Sequence, residues 1–195
     1  MNLNFYTFAK NVVKIVLLPF YRAKAIGIEN IPKEGGVLIC SNHINNLDPP
    51  IVGIASKRDI HFMAKEELFQ IPILKGILPK VHAFPVKRGL SDREALRKGL
   101  AVLKEEQVLG LFPEGTRSKD GLLGEGLAGA GFFALRSKAA VLPCAIIGPY
   151  KMFRPVKIVF GKPIDFERIR EEKVSADDAT KAIMTEIQTL INNHK

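Results

Sequence analysis

The chain has no tryptophan, three tyrosines and two cysteines among 195 residues. Each cysteine, Cys40 and Cys144, sits inside an apolar run. This excludes a disulfide-stapled scaffold and reads as two buried thiols in a reducing compartment. With so few stacking rings, and no basic stripe interleaved with aromatics, nucleic acid is disfavoured as a partner. No stretch approaches the ~20 predominantly apolar residues that a spanning helix needs. The most apolar segment near the start, residues 12–21, is interrupted by Lys14 and Pro19 and carries no small-residue cleavage site. A Gly-x-Ser-x-Gly elbow is missing, which disfavours a serine acyl-enzyme. So is any phosphate-cradling glycine loop after a strand, which leaves nucleotide cofactors unindicated. His61 and His82 lack the Cys or carboxylate neighbours that a metal site requires, so they read as structural residues. There is no internal repeat and no low-complexity segment.

What is present begins with 47% apolar and 25% charged residues, enough for a packed core. The formal net charge is +9, which suggests an anionic partner such as a membrane surface or a phosphorylated substrate. At 100° per residue, Phe5, Phe8, Val12, Ile15, Val16, Pro19 and Phe20 share one broad helical face. Thr7, Lys10, Asn11 and Lys14 share the other, which Leu17 and Leu18 interrupt. Residues 1–28 hold four basic side chains, Lys10, Lys14, Arg22 and Lys24, and no acidic one. That pattern fits a helix lying in a membrane interface. It also fits a helix that packs on the domain and keeps its lysines at the wet edge. The chain thus divides into an N-terminal helical arm, residues 1–28, and one α/β domain, residues 29–195.

Beyond the arm, short apolar runs at 37–40, 61–63, 81–86, 108–112, 139–147 and 156–160 read as strands. Amphipathic stretches at 50–57, 91–104, 126–137 and 176–193 read as helices, with Ser91-Asp92-Arg93-Glu94 as a capping box. The alternation predicts an α/β fold with a central mixed, largely parallel sheet flanked by helices. Ligands of such sheets bind at the carboxyl ends of strands, and three constellations stand there. The first is His43 after the 37–40 run, with Asp48-Pro49 as a helix entry in which Asp48 is the N-cap. A tight loop lets the carboxylate accept the Nδ1 proton of His43 and leaves Nε2 as a base. The alternative is a capping Asp and an incidental loop His. The second is Lys87-Arg88-Gly89 before the capped helix, an anion site or a solvated basic turn. The third is Pro113-Glu114-Gly115-Thr116-Arg117 after an apolar strand, where glycine lets backbone N–H groups converge and Arg117 can grip an oxyanion. Together they suit deprotonation of a hydroxyl on a phosphate-bearing substrate.

In order and spacing, Asn42-His43 through Asp48, Phe84 to Arg88, Phe112 to Ser118 and Val141-Leu142-Pro143-Cys144 resemble the four blocks of the glycerolipid acyltransferase family. The short bacterial members that acylate lysophosphatidate are the nearest match. Pro85 stands where an aliphatic residue is common, and Cys144 where Val or Ala is usual; neither touches a polar role. The resemblance implies transfer of an acyl chain from a thioester, acyl-CoA or acyl carrier protein, to the free hydroxyl of lysophosphatidate. The product is phosphatidate, in phospholipid biosynthesis. His43 would be the general base and Asp48 its orienting partner. Arg88, Glu114 and Arg117 would hold the phosphate with help from Lys87, while Gly115 and Thr116 shape the loop. A thioester is already activated, so neither cofactor nor metal is implied. The arm would place the protein on the cytoplasmic face of the cell membrane, peripheral or monotopic. Residues 69–74 and Leu122-Leu123 either line an acyl tunnel or belong to the ordinary core. The rival readings are another acceptor, glycerol 3-phosphate or a different lysophospholipid, a thioester hydrolase, and a non-enzymatic basic module that binds membrane surfaces.

Overall fold

The computed structural model describes residues 5–87 and 92–195. In chain order the elements are α1 (Phe5–Tyr21), β1 (Lys24–Ile26), β2 (Val37–Ser41), α2 (Asp48–Ala55), β3 (Ile60–Lys65), α3 (Pro72–Ile77), β4 (Ala83–Val86), α4 (Arg93–Lys104), β5 (Val108–Leu111), α5 (Gly129–Arg136), β6 (Ala140–Ile147), β7 (Lys157–Phe160), α6 (Phe166–Glu171) and α7 (Ala176–His194). Single turns of 3-10 helix at Glu66–Gln70 and Pro79–Val81 flank α3. Among the described residues the strands form one sheet in the order β1-β7-β6-β2-β5-β3-β4.

Strand β2 is the centre of this sheet, and all five of its residues are buried. Both neighbours, β5 and β6, run parallel to it. A parallel strand covered on both faces must be apolar without alternation, which is why Val37-Leu38-Ile39-Cys40 is an unbroken run. Strands β3 and β4 continue the parallel set, and only the β6–β7 pair is antiparallel. The expected mixed, largely parallel sheet is therefore present. Leu38, Cys40 and Leu109 meet α4, α5 and α7 on one face, where Ile183, Ile187 and Ile191 of α7 are buried. Val37, Ile39 and Val108 meet α2 on the other. Each such aliphatic side chain stabilises the fold by about 1.5–3 kcal/mol through burial.

Three details depart from the sequence-based expectations. Helix α4 begins at Arg93 with Asp92 as its cap, accepting the Glu94 and Ala95 N–H groups at 3.1 and 3.0 Å; Ser91 lies outside the described residues. Asp92 also accepts the Lys87 N–H at 2.9 Å, which ties the helix start to the end of β4. The segment 69–74 is not core, because Ile71 and Ile73 are exposed and the turn and helix it spans hold no buried residue. Helix α1 packs through Tyr6, Lys10, Leu17 and Tyr21, not through its apolar face. Ile60 N–H donates to the Tyr6 hydroxyl (2.9 Å) and Lys10 Nζ to Ser56 O (2.6 Å). At its far end Phe153 and Val156 N–H donate to Phe20 O and Tyr21 O at 2.6 and 3.0 Å. Phe8, Val12, Ile15, Val16 and Phe20 all stay exposed, Ile15 at 74%. No helix among the described residues is long and apolar enough to cross a membrane.

His61 of β3 and His82 before β4 share a hydrogen bond, Nε2 to Nδ1, at 2.9 Å. The Tyr6 ring meets His82 edge-on at 4.8 Å. Burial, then the neighbouring His82 and Lys98, hold the His61 imidazole down at about 4, against 6.5 when free. The fold thus keeps His61 neutral, while the unfolded chain takes up its proton near 6.5. Stability from this group is complete above that value and is lost as pH falls through 4. The urea midpoint should therefore drop between neutral pH and about 4, and by less in His61→Phe. An equal drop in both proteins counts against this role for the pair.

Candidate active site

Strands β2, β5, β3 and β4 are parallel, so their carboxyl ends share one edge of the sheet. A cleft of about 760 Å³ opens there. Met63, Leu111, Phe132 and Phe133 give it an apolar floor, and His43, Lys65, Lys87 and Thr116 line it with polar groups.

His43 follows β2 directly. Its Nδ1 lies 2.7 Å from Asp48 Oδ2, and its side chain keeps 14% of its surface open while Asp48 keeps none. The same Oδ2 accepts the Ile44 and Asn45 N–H groups at 2.6 and 2.7 Å. The sequence reading placed Asp48 at the N-cap, but the cap residue is Leu47 and Asp48 is the first residue of α2. Its carboxylate caps nothing because it turns back onto the loop before the helix. There it selects the tautomer with Nδ1 protonated, which leaves Nε2 basic. Asn42 anchors the other side of the loop, its amide donating to Ile146 O (2.9 Å) and accepting from Ile146 N–H (2.7 Å).

The imidazole is also held by its faces. Phe112 stacks on it with centroids 4.2 Å apart, and Phe62 stacks on Phe112 at 5.9 Å. Room for Phe62 comes from Gly110, where a Cβ would lie 2.4 Å from the ring. Glu114 lines the cleft with both carboxylate oxygens engaged by main-chain N–H groups. One oxygen accepts the His43 N–H at 2.8 Å and the other the Gly124 N–H at 2.9 Å, while Ser118 N–H donates to His43 O at 2.8 Å. The β5 loop therefore clamps the main chain of His43 at both its N–H and its carbonyl. Gly115 makes the turn in the left-handed region, φ +63°. Glycine adopts that conformation without strain, and a Cβ there would push the exposed Leu127 side chain aside. Thr116 and Lys87 line the cleft, whereas Arg117 is exposed beyond its wall. Arg88 and Gly89 lie outside the described residues.

Comparison with known proteins matches the family described as Acyltransferase to residues 22–147. The chain belongs to the acyltransferase family. It is 32% identical to the 1-acyl-sn-glycerol-3-phosphate acyltransferase of Bacillus subtilis (strain 168), over 96% of this chain and 97% of that one. It is 27% identical to the protein of the same name from Streptococcus pneumoniae, over 95% of this chain and 71% of that one. Its fold is similar to the crystal structure of the 1-acyl-sn-glycerophosphate (LPA) acyltransferase, PlsC, from Thermotoga maritima. The TM-score is 0.76 at 23% identity, covering 97% of this chain and 80% of that one.

Two residues of this acyltransferase site escaped the sequence reading. Lys65 ends β3 in register with Val86, so only strand pairing reveals that it flanks the cleft beside Lys87. Tyr150 lies in the loop after β6, beyond the family match. Its hydroxyl donates to Asp48 Oδ1 at 2.5 Å, and its ring packs edge-on against Tyr21 of α1 at 5.5 Å. Burial, then the charge of Asp48, pushes the phenol well above its ordinary value, so the hydroxyl remains a donor. Without that donor one oxygen of the buried Asp48 carboxylate loses its partner, and the geometry it imposes on His43 Nδ1 relaxes. Tyr150→Phe should lower kcat about tenfold with KM unchanged, since hydrogen bonds to charged groups contribute ~1.5–3 kcal/mol. An unchanged kcat would show that Tyr150 only packs.

Proposed function

We propose that this acyltransferase moves a fatty acyl chain from a thioester, acyl-CoA or acyl carrier protein, to the free hydroxyl of lysophosphatidate, forming phosphatidate. The observation that carries the reading is the His43–Asp48 pair, 2.7 Å apart, opening onto a cleft with an apolar floor and lysines along it. Two relatives bearing that activity in their names, alike over nearly the whole of this chain, support the choice of acceptor.

In this mechanism Nε2 of His43 takes the proton of the acceptor hydroxyl as its oxygen attacks the thioester carbonyl. Buried Asp48 stabilises the imidazolium that forms, at Nδ1. The tetrahedral intermediate collapses, the C–S bond breaks, and the thiolate leaves with the proton returned from Nε2. Lys65 and Lys87 attract the acceptor phosphate, Thr116 offers it a hydroxyl, and Arg117 adds a cation from the loop after β5. Arg88, outside the described residues, stays a phosphate-ligand candidate on its motif alone. Glu114, on the cleft wall with both oxygens engaged by N–H groups, holds the phosphate-binding loop in place and braces His43. Bound geometry supplies a further part of the acceleration, because two reactants are held together against one base. The apolar floor takes the acyl chain.

A lysolipid is delivered from a bilayer, and the exposed face of α1, with Phe8, Val12, Ile15, Val16 and Phe20, is suited to lie in that interface. Lys14, Arg22 and Lys24 add attraction to an anionic leaflet. The protein then works peripherally, on the cytoplasmic face of the cell membrane. The excess of basic charge also suits both donors, which are anionic.

Purified protein offered labelled acyl-CoA or acyl carrier protein, with lysophosphatidate or glycerol 3-phosphate, tests the reading. Phosphatidate from lysophosphatidate is the expected product, and the productive donor is named by the same assay. Lipid formed only from glycerol 3-phosphate would change the acceptor, and thioester loss without lipid would indicate a hydrolase. His43→Ala should lose about 10²–10⁴ in kcat while staying folded, and Asp48→Asn should be similarly impaired. Arg117→Ala should chiefly raise KM for the acceptor. Near-normal turnover by His43→Ala rules the mechanism out.

A further inference from the structure

The connection from β3 to β4 does not behave as an ordinary crossover. Such segments bury an apolar side against their own sheet. Here the Glu66–Gln70 turn, α3 and the Pro79–Val81 turn contain no buried residue at all. Leu68, Ile71 and Ile77 are 37–46% exposed, and Ile73 is 74% exposed. Four aliphatic side chains within ten residues thus stay in water, on the segment that borders the cleft. Contiguous exposed apolar groups of this kind mark an interaction surface.

Its charge says what covers it. Glu67 and Glu66 are paired with the cleft lysines, Glu67 to Lys65 at 2.8 Å and Glu66 to Lys87 at 3.8 Å. Lys75 and Lys80 are the cations of the segment, and both are exposed. A second copy of the chain would bring the same lysines against them. An anionic phospholipid surface complements them and accepts the aliphatic side chains. The patch is also continuous with α1. Lys80 Nζ lies 5.2 Å from the centre of the Phe5 ring, and the Tyr6 ring packs edge-on against His82 at 4.8 Å.

We infer that the β3–β4 connection, residues 68–80, is a second bilayer-contacting element, seated beside α1 on an anionic leaflet with Leu68, Ile71, Ile73 and Ile77 in the interface. This deepens the docking reading of α1 given above. Its consequence is geometric. The segment follows Lys65, which lines the cleft, within three residues, so seating it brings the cleft mouth to the lipid surface. A phosphate-bearing lysolipid then reaches Lys65 and Lys87 without leaving the membrane.

The test is an environment-sensitive fluorophore on a single added cysteine. Cys40 and Cys144 are both buried, and burial pushes the Cys144 thiol up to about 12, so labelling is confined to the new site. The positions are Ile73→Cys, Ile15→Cys on α1 and Lys104→Cys on α4, which packs on the opposite face of the sheet. Each protein is mixed with phosphatidylcholine vesicles, with and without phosphatidylglycerol and nitroxide-bearing lipid. Labels at 73 and 15 should turn apolar and be quenched on the anionic vesicles, and the label at 104 should not. A label at 73 that stays aqueous while that at 15 becomes apolar overturns the proposal and leaves α1 docking intact. If both stay aqueous, both readings fall. If only 73 responds, the crossover contact stands and α1 docking falls. A label at 73 that is already apolar in a doubled-mass species, or becomes so only with acyl carrier protein, overturns the proposal in favour of a protein partner. The triple variant Ile71→Ser, Ile73→Ser, Ile77→Ser should also lose about tenfold or more in vesicle partition. Its turnover of a short-chain, water-soluble acceptor should be unchanged.

Discussion

A single carboxylate, that of Asp48, is the constraint on which the site depends. It is wholly buried, and an isolated charge there would cost several kcal/mol in lost solvation. Four donors offset this: the N–H groups of Ile44 and Asn45, the Nδ1 proton of His43 and the hydroxyl of Tyr150. Those donors come from the loop after β2 and from the loop after β6, so the charge is satisfied only when both strands sit beside each other in register. The tautomer of His43 is thereby a property of the whole sheet. The base is further locked by Phe112 on its face and by Glu114 and Ser118 on its main chain. Little freedom remains in the ring before substrate arrives, which is the preorganisation that acid–base catalysis requires.

The two layers over the sheet serve different ends. On one face α4, α5 and α7 close a core around buried Leu38, Cys40, Leu109, Phe133, Ile183 and Ile187. On the other, α2 is covered, but α1 and the β3–β4 connection present aliphatic and aromatic side chains outward among lysines. Apolar surface left open on this side, with basic groups around it, suits the bilayer docking proposed above. The connection runs from that side to the cleft wall. Tyr21 links α1 through Tyr150 to Asp48, so the outward layer and the base are joined by packed groups.

Local chemistry was legible in the sequence wherever it was local in the chain. The apolar run at β2, the amphipathic period of α7 and the five-position step from His43 to Asp48 each announce themselves within a few residues. Strand alternation predicted the mixed sheet for the same reason. Asp48 was placed correctly beside His43 and misplaced as a helix cap, because a carboxylate after a loop satisfies either role and only the fold decides between them. On α1 the pattern identified the apolar face but could not say which face would pack. Tyr6 and Lys10 win that contact through hydrogen bonds to Ile60 and Ser56, residues 54 and 46 positions away.

The sequence by itself determined most of the parts: six of the seven described strands, the place of the His43–Asp48 pair, and the excess of positive charge. It did so because periodicity, turn chemistry and short spacings act over a few residues. The three-residue β1, Lys24–Ile26, was too short to stand out from the arm. Tertiary structure alone decided that Lys65 joins Lys87 at the cleft and that Glu114 braces His43 across 71 residues of chain. It alone brought Tyr150 to Asp48 across 102. Those meetings follow from sheet order and register, which the balance of burial over the whole chain sets and no segment encodes.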